Sequence, residues 1–278
     1  MTSKSWNSDR PWRGIMVATA LPLRPDLSVD YDAYAEHVRR LIDNGCDGVV
    51  PNGSLGEYQT LTAEERARVV RTAVEAAGDG ARVMPGVAAY GRAYRADEHA
   101  VRAHYAQVAE AGVPVVAYNN PIDTKVDLTP ALLARLHGDG SVVAVKEFTG
   151  DVRRAYEIAE LAPELDLLIG ADDVLLELAI AGAVGWIAGY PNAFPAACAQ
   201  LYHAAVAGDL ETALPLYRSL HPLLRWDSRT EFVQSIKLSM DIAGHHGGPT
   251  RPPRSPLTGE IEAGVRAATE KAIAQGHH

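Results

Sequence analysis

The chain has 278 residues, 47% of them hydrophobic, enough for a full core in one large domain or two small ones. A net charge of -9 argues against a nucleic-acid partner, because phosphate binding needs clustered positive charge. Cys46 and Cys198 stand alone without CxxC spacing, which argues against a disulfide scaffold or a zinc ribbon and fits a reducing cytoplasm.

The opening MTSKSWNSDRPWRG has no apolar run after its charges and does not read as a signal peptide. No apolar run approaches the length of a membrane span. Strand-like runs begin with GIMVATALP (14–22) and DGVVPNGSLGE (47–57), separated by a helix whose apolar face carries Tyr31, Tyr34, Ala35, Val38, Leu41 and Ile42. Thr62 and Glu65 form a capping box ahead of ERARVVRTAVEAA. RVMPGVAAYG (82–91) and VPVVAYNNP (113–121) follow, with one helix between them. Thr129 is an N-cap with Pro130 at the first helical position. SVVAVKEFTG (141–150) is the next strand, and Asp151 is expected to cap DVRRAYEIAELA. LDLLIGADD (165–173) and GAVGWIAGYPN (182–192) complete seven strands, and Asp172-Asp173 is expected to cap the helix between them. From 193 onward the pattern is helical, and the closing AIAQGHH resembles a truncated purification tag.

Strand and helix alternating over this length imply a parallel sheet, either doubly wound or closed into a barrel. Ser54, Tyr118, Lys146 and Asp172 fall at or just past the C-terminal ends of different strands, and in a barrel those ends share one mouth. No GxGxxG opens a helix after the first strand. The expected fold is therefore α/β, a (β/α) barrel over 1–192 with a C-terminal helical region over 193–278 that completes it.

Lys146 follows four apolar residues in a run bounded by Gly140 and Gly150. A lysine there either snorkels to the rim or has an amine whose pKa falls on desolvation, making it a nucleophile near neutral pH. Such an amine condenses with a ketone to form a Schiff base. Tyr118 ends the preceding strand and becomes a candidate proton relay beside it. NGSLGE offers a hydroxyl and successive backbone N–H groups that suit a carboxylate. His99 and His104 are five apart, the wrong spacing for a shared helix face, and no metal or organic cofactor is implied.

PNGSLGE, VVAYNNP and VAVKEFTGD, in that order, resemble three segments of the dihydrodipicolinate synthase and N-acetylneuraminate lyase family of class I aldolases. The likeness extends to LLIGADD, GWIAGYPN and the Pro-rich GGPTRPPRSPL. It implies a TIM-type (β/α)8 barrel, assembled as a homotetramer or dimer. It also implies that Lys146 forms the Schiff base, that Tyr118 moves protons, and that Ser54 and Leu55 hold the 2-oxo acid carboxylate. The family commonly has two hydroxyl residues at that pair, so Leu55 can offer only its backbone N–H. Gly170 and Ile187 match positions lining the keto-acid pocket, Ile187 through its carbonyl.

Two departures stand out. Where the synthases place a carboxylate-binding arginine, this chain has Asp123, with Lys125 two residues on. Two like charges about 4 Å apart at a surface-like dielectric repel by on the order of 4 kcal/mol, so a carboxylated aldehyde such as aspartate semialdehyde is expected to be a poor co-substrate. The second departure is an absent βα unit between VMPGVAAYG and VPVVAYNNP, which in the family bears an interface tyrosine; Tyr94 is nearest its place. A barrel lacking one unit is hard to close. The tag-like ending favours a segment omitted from the sequence over a true deletion. The expected activity is that of a lyase or synthase acting on pyruvate or a similar 2-oxo acid, with an aldehyde as a second substrate. The alternatives are a dehydratase or deaminase of a sugar-acid or hydroxyproline-derived 2-oxo compound, or a barrel that only binds keto acids.

Overall fold

The computed structural model describes residues 10–87 and 97–278. The elements run β1 (Gly14–Ala18), α1 (Tyr31–Asp43), β2 (Gly48–Val50), α2 (Ala63–Ala77), β3 (Arg82–Val83), α3 (Glu98–Ala109) and β4 (Val116–Asn119). They continue as α4 (Pro121–Thr124), α5 (Pro130–Gly138), β5 (Ala144–Glu147), α6 (Arg153–Leu161), β6 (Asp166–Ile169), α7 (Leu175–Ile180) and β7 (Gly185–Ala188). Four helices close the chain: α8 (Pro195–Val206), α9 (Leu210–Leu224), α10 (Phe232–Ile242) and α11 (Gly259–Ala274).

The starts of α1, α2 and α5 have local causes. Asp30 accepts the Ala33 N–H at 3.1 Å. Thr62 and Glu65 make the expected reciprocal box, and Thr129 caps α5 ahead of Pro130. Asp151 is a correction. Val152 occupies the N-cap of α6 with no side-chain bond, because the Asp151 carboxylate is drawn to its neighbour Arg153, at 2.7 Å from the guanidinium Nε and 3.1 Å from the backbone N–H.

The strands form one parallel sheet in the order β3-β2-β1-β7-β6-β5-β4. Pairing of β1 with β7 joins the two halves of the chain and curls the sheet in the manner of a TIM barrel. β6 and β7 are buried along their whole lengths, as strands covered on both faces must be. β3 and β4 are consecutive in sequence yet stand at opposite edges of the sheet, and among the described residues no ladder joins them. The absent unit is thus visible as an open seam.

Two polar clusters lock the barrel. Asn192, just past β7, accepts the Ala20 N–H at 2.8 Å and donates to the carbonyls of Ala18 and Gly189 at 2.8 and 2.6 Å. At the opposite end Asp166 accepts from Arg10 at 2.6 Å, Trp12 at 2.7 Å and Arg13 at 2.8 and 2.9 Å. The tag-like ending packs on the helical region: the His278 carbonyl accepts the Ala197 N–H at 3.1 Å, and His277 lies 2.6 Å from the Ser219 hydroxyl. No helix among the described residues is long and apolar enough to cross a membrane.

Candidate active site

Because all seven strands are parallel, their C-terminal ends share one rim. Register places Tyr118 directly beside Lys146 on neighbouring strands. The Lys146 ammonium nitrogen lies 4.6 Å from the centre of the Tyr118 ring and 5.5 Å from that of Phe148, and the two rings meet edge to face. Among the described residues Nζ has no hydrogen bond or ion pair, only these ring faces. Burial pushes the lysine pKa down, opposed by the charges of Asp227 and then Asp172.

Tyr118 is 39% exposed at the mouth. Its hydroxyl accepts a 3.0 Å bond from the Asn120 amide, which leaves its own proton free to be donated. Burial holds the phenol protonated, with the charges of Asp227, Asp123 and Tyr58 acting in the same direction and the Asn120 bond against it.

In the loop after β2 Ser54 is half-buried and Leu55 sends its side chain into the core. Asn52 and Glu57 flank the turn with φ of 60° and 52°. Among the described residues the backbone N–H groups of Ser54 and Leu55 have no acceptor, so both remain available to an anion. Glu57 anchors the loop from behind. It is fully buried and accepts from Lys237 of α10 at 2.9 Å and from the Arg251 N–H at 2.8 Å. Arg251 in turn clamps the capping-box Glu65 at 2.6 and 3.0 Å. The Pro-rich ending and the C-terminal helices therefore brace the carboxylate-suited turn.

Gly170 follows β6, where a Cβ would lie 2.3 Å from the Glu147 carbonyl oxygen. Only glycine lets β6 pass that close to the end of β5. Ile187 is buried in β7, paired with Met16. Asp123 sits exposed on α4, accepting a 2.8 Å bond from the same Asn120 amide that contacts Tyr118. Lys125 folds back to donate to the Ile122 carbonyl and makes no ion pair with Asp123. Tyr94 lies outside the described residues.

Asp172 is the second correction. It caps no helix; it is fully buried and accepts from the Trp186 indole at 2.9 Å, the Gly189 N–H at 3.1 Å and the Tyr190 N–H at 2.7 Å. Val174 takes the N-cap of α7 instead. Burial pushes the Asp172 pKa up to about 6, against those donors and the charge of Lys146. Asp227 was invisible to sequence reasoning. It comes from the turn after α9, is 4% exposed, and presses against Gly189, where a Cβ would lie 2.3 Å from its carboxylate. LLRWDS carries no pattern that foretells this, since nothing local directs a carboxylate after a helix end back into a barrel mouth.

The dihydrodipicolinate synthetase family pattern matches residues 11–93 and 90–272, in two pieces that meet where the absent unit belongs. A 4-hydroxy-tetrahydrodipicolinate synthase of Acidothermus cellulolyticus is 31% identical over 92% of this chain and 91% of its own. A solved putative dihydrodipicolinate synthetase from Pseudomonas aeruginosa superposes with a TM-score of 0.88 at 29% identity, covering 94% of this chain and 99% of that one. The chloride-inhibited dihydrodipicolinate synthase of Acinetobacter baumannii, solved in complex with pyruvate, also gives 0.88 at 25% identity, over 94% and 99%. With its parallel barrel sheet and these matches along nearly its whole length, this chain belongs to the dihydrodipicolinate synthetase family of class I, lysine-dependent lyases and synthases.

Proposed function

We propose that the protein captures pyruvate or a similar 2-oxo acid as a Schiff base on Lys146. The observation that carries this reading is the in-register pair of Lys146 and Tyr118, with an amine whose pKa burial lowers and to which no carboxylate among the described residues binds directly. The free N–H groups of Ser54 and Leu55 hold the substrate carboxylate, while Gly170 and the Ile187 carbonyl line the pocket. The amine nitrogen attacks the ketone carbon, and water leaves as the imine forms. The protonated imine acidifies the adjacent carbon, and the enamine then adds to an aldehyde or expels a substituent. Tyr118 suits the donor role, because its hydroxyl accepts from Asn120 and stays protonated.

Asp123 favours a second reading of the later half of the reaction, dehydration or deamination of a hydroxylated or amine-bearing 2-oxo acid. Its exposure changes the size of the expected repulsion. Water around α4 raises the effective dielectric, so a carboxylate about 4 Å away is disfavoured by about 1–4 kcal/mol rather than the full upper figure. A cytoplasmic location, supported by two buried cysteines that form no disulfide, and a homo-oligomeric assembly belong to the same proposal. Borohydride trapping with pyruvate, read by intact mass and peptide mapping, tests the core of it. A single adduct on Lys146 that disappears in Lys146→Ala is expected. An adduct of undiminished yield on another lysine refutes it.

A further inference from the structure

On the strands that carry Tyr118 and Lys146, the next pair in register is Asn119 and Glu147. Alternation sends these two side chains to the opposite face of the sheet, away from the mouth. Both are buried. The Asn119 amide nitrogen donates to the Glu147 carboxylate at 2.9 Å and to Asp127 at 3.3 Å, while its oxygen accepts the Leu128 N–H at 2.9 Å. The other Glu147 oxygen accepts the Thr149 N–H at 2.8 Å. Arg154 of α6 closes the cluster. Its Nε lies 3.3 Å from Glu147, and its terminal nitrogens hold Asp127 at 2.8 and 3.2 Å and the Leu128 carbonyl at 2.9 Å.

We propose that the Asn119–Glu147 bond, backed by Arg154, sets the register of β4 on β5, which makes these three positioning residues for Tyr118 and Lys146. The inference rests on the Schiff-base reading above. Among the described residues β4 is an edge strand, paired with β5 alone. Its apolar side chains do not fix where it sits: Val113 is exposed, Val115 and Val116 are half-buried, and Ala117 is small. A slide by one residue therefore exchanges one small apolar group for another, yet it turns every side chain of the strand to the other face. Tyr118 would leave the mouth, and the buried Glu147 carboxylate would lose its Asn119 donor, at a cost that disfavours the slipped strand. A slide that offers Asn120 instead breaks the bonds of that amide to Tyr118 and Asp123. Fixing register is the best-attested use of a buried polar group.

The consequence falls on the rate and not on substrate affinity. With the bond broken, Tyr118 is held beside the amine by a one-sided backbone ladder, and a misplacement of 1 Å costs on the order of 10²-fold in rate. The N–H groups suited to the 2-oxo acid carboxylate belong to the loop after β2, with β1, β7 and β6 standing between β2 and β5. Loosening β4 leaves that loop and its brace of Glu57, Lys237 and Arg251 untouched.

The test is the rate of borohydride-trapped adduct against pyruvate concentration in wild type, Asn119→Asp, Glu147→Gln and the double variant, with thermal melting in parallel. Glu147→Gln sets a donor against the Asn119 donor, and Asn119→Asp sets two carboxylates face to face. The double variant restores the bond with donor and acceptor exchanged and leaves the charge of the cluster unchanged. Each single variant should lower the saturating trapping rate by on the order of 10²-fold with the half-saturating pyruvate concentration unchanged. The double variant should regain at least about tenfold, as directly coupled residues do. A melting temperature that falls while trapping per folded molecule stays at the wild-type rate means a merely structural role. A loss seen only as weaker pyruvate saturation, or a double variant no faster than the slower single one, also overturns the proposal. If neither single variant folds, Arg154→Lys, which keeps the cation and loses the fork, should slow trapping by about tenfold; if it does not fold either, the cluster is structural and the proposal falls. An adduct in wild type with unaltered variants refutes the register role alone. No adduct in wild type refutes the Schiff-base reading and this inference with it.

Discussion

Replacing Gly170 by alanine places a Cβ 2.3 Å from the Glu147 carbonyl oxygen, 2.7 Å from its carbonyl carbon and 3.0 Å from the Phe148 nitrogen. All three atoms are backbone, so no side chain can rotate away. Ordinary non-bonded contact needs roughly 1 Å more, and β5 and β6 must part by that much at their C-terminal ends. Lys146 immediately precedes Glu147, so the displacement falls on the amine. A 1 Å misplacement of a reacting group costs on the order of 10²-fold in rate. The overpacking itself destabilises by about 1–3 kcal/mol. The assay is the rate of borohydride-trapped pyruvate adduct on Lys146, with thermal melting in parallel. We expect a trapping rate lower by about two orders of magnitude and a melting temperature lower by several degrees, at about 2–4 °C per kcal/mol for a chain of this size class. Trapping at the wild-type rate, whatever the melting temperature does, would show that the lysine does not depend on this strand contact.

Tyr118→Phe keeps the ring under Lys146 and removes only the hydroxyl; turnover should fall roughly 10²–10⁴-fold while trapped adduct still accumulates slowly, and wild-type turnover would make Tyr118 a packing residue. Asp123→Arg should improve use of a carboxylated aldehyde such as aspartate semialdehyde, by about 5–1,000-fold in kcat/KM for a relief of 1–4 kcal/mol, in a coupled assay with pyruvate; efficient condensation by wild type with no gain in the variant refutes the charge argument. Lys237→Met leaves buried Glu57 with only Arg254, 4.0 Å away, as a cation and should cost about 3–5 kcal/mol in denaturant unfolding, whereas pairing it with Glu57→Leu should recover part of the loss. Asp166→Asn should cost about 1–3 kcal/mol at neutral pH. Burial raises the Asp166 pKa, but Arg13, Trp12 and Arg10 together hold it below the usual carboxylate range. That stability is present above the ordinary aspartate pKa and is lost as pH falls through the lower folded value. The difference between variant and wild type should therefore shrink in strong acid, and a difference that persists there sinks the ion-pair account.

Much of the barrel was legible along the chain because its causes are local. Apolar runs become buried parallel strands, Thr62 with Glu65 starts α2, and Thr129 with Pro130 starts α5. Lys146 stood out because a charge at the end of an apolar strand demands a reason, and pairing with β4 places Tyr118 beside it. The absent unit was countable too, since strands are counted from periodicity alone. What tertiary structure decided is where long-range charges go. The carboxylate of Asp172 looks like a helix cap in sequence, but turns inward to donors 14 to 18 residues away. Glu57 finds Lys237 across 180 residues, and Asp227 reaches Asp172 across 55. A buried charge settles wherever the closed fold supplies donors or an opposite charge, and those neighbours exist only once β1 has paired with β7 and the C-terminal helices have docked.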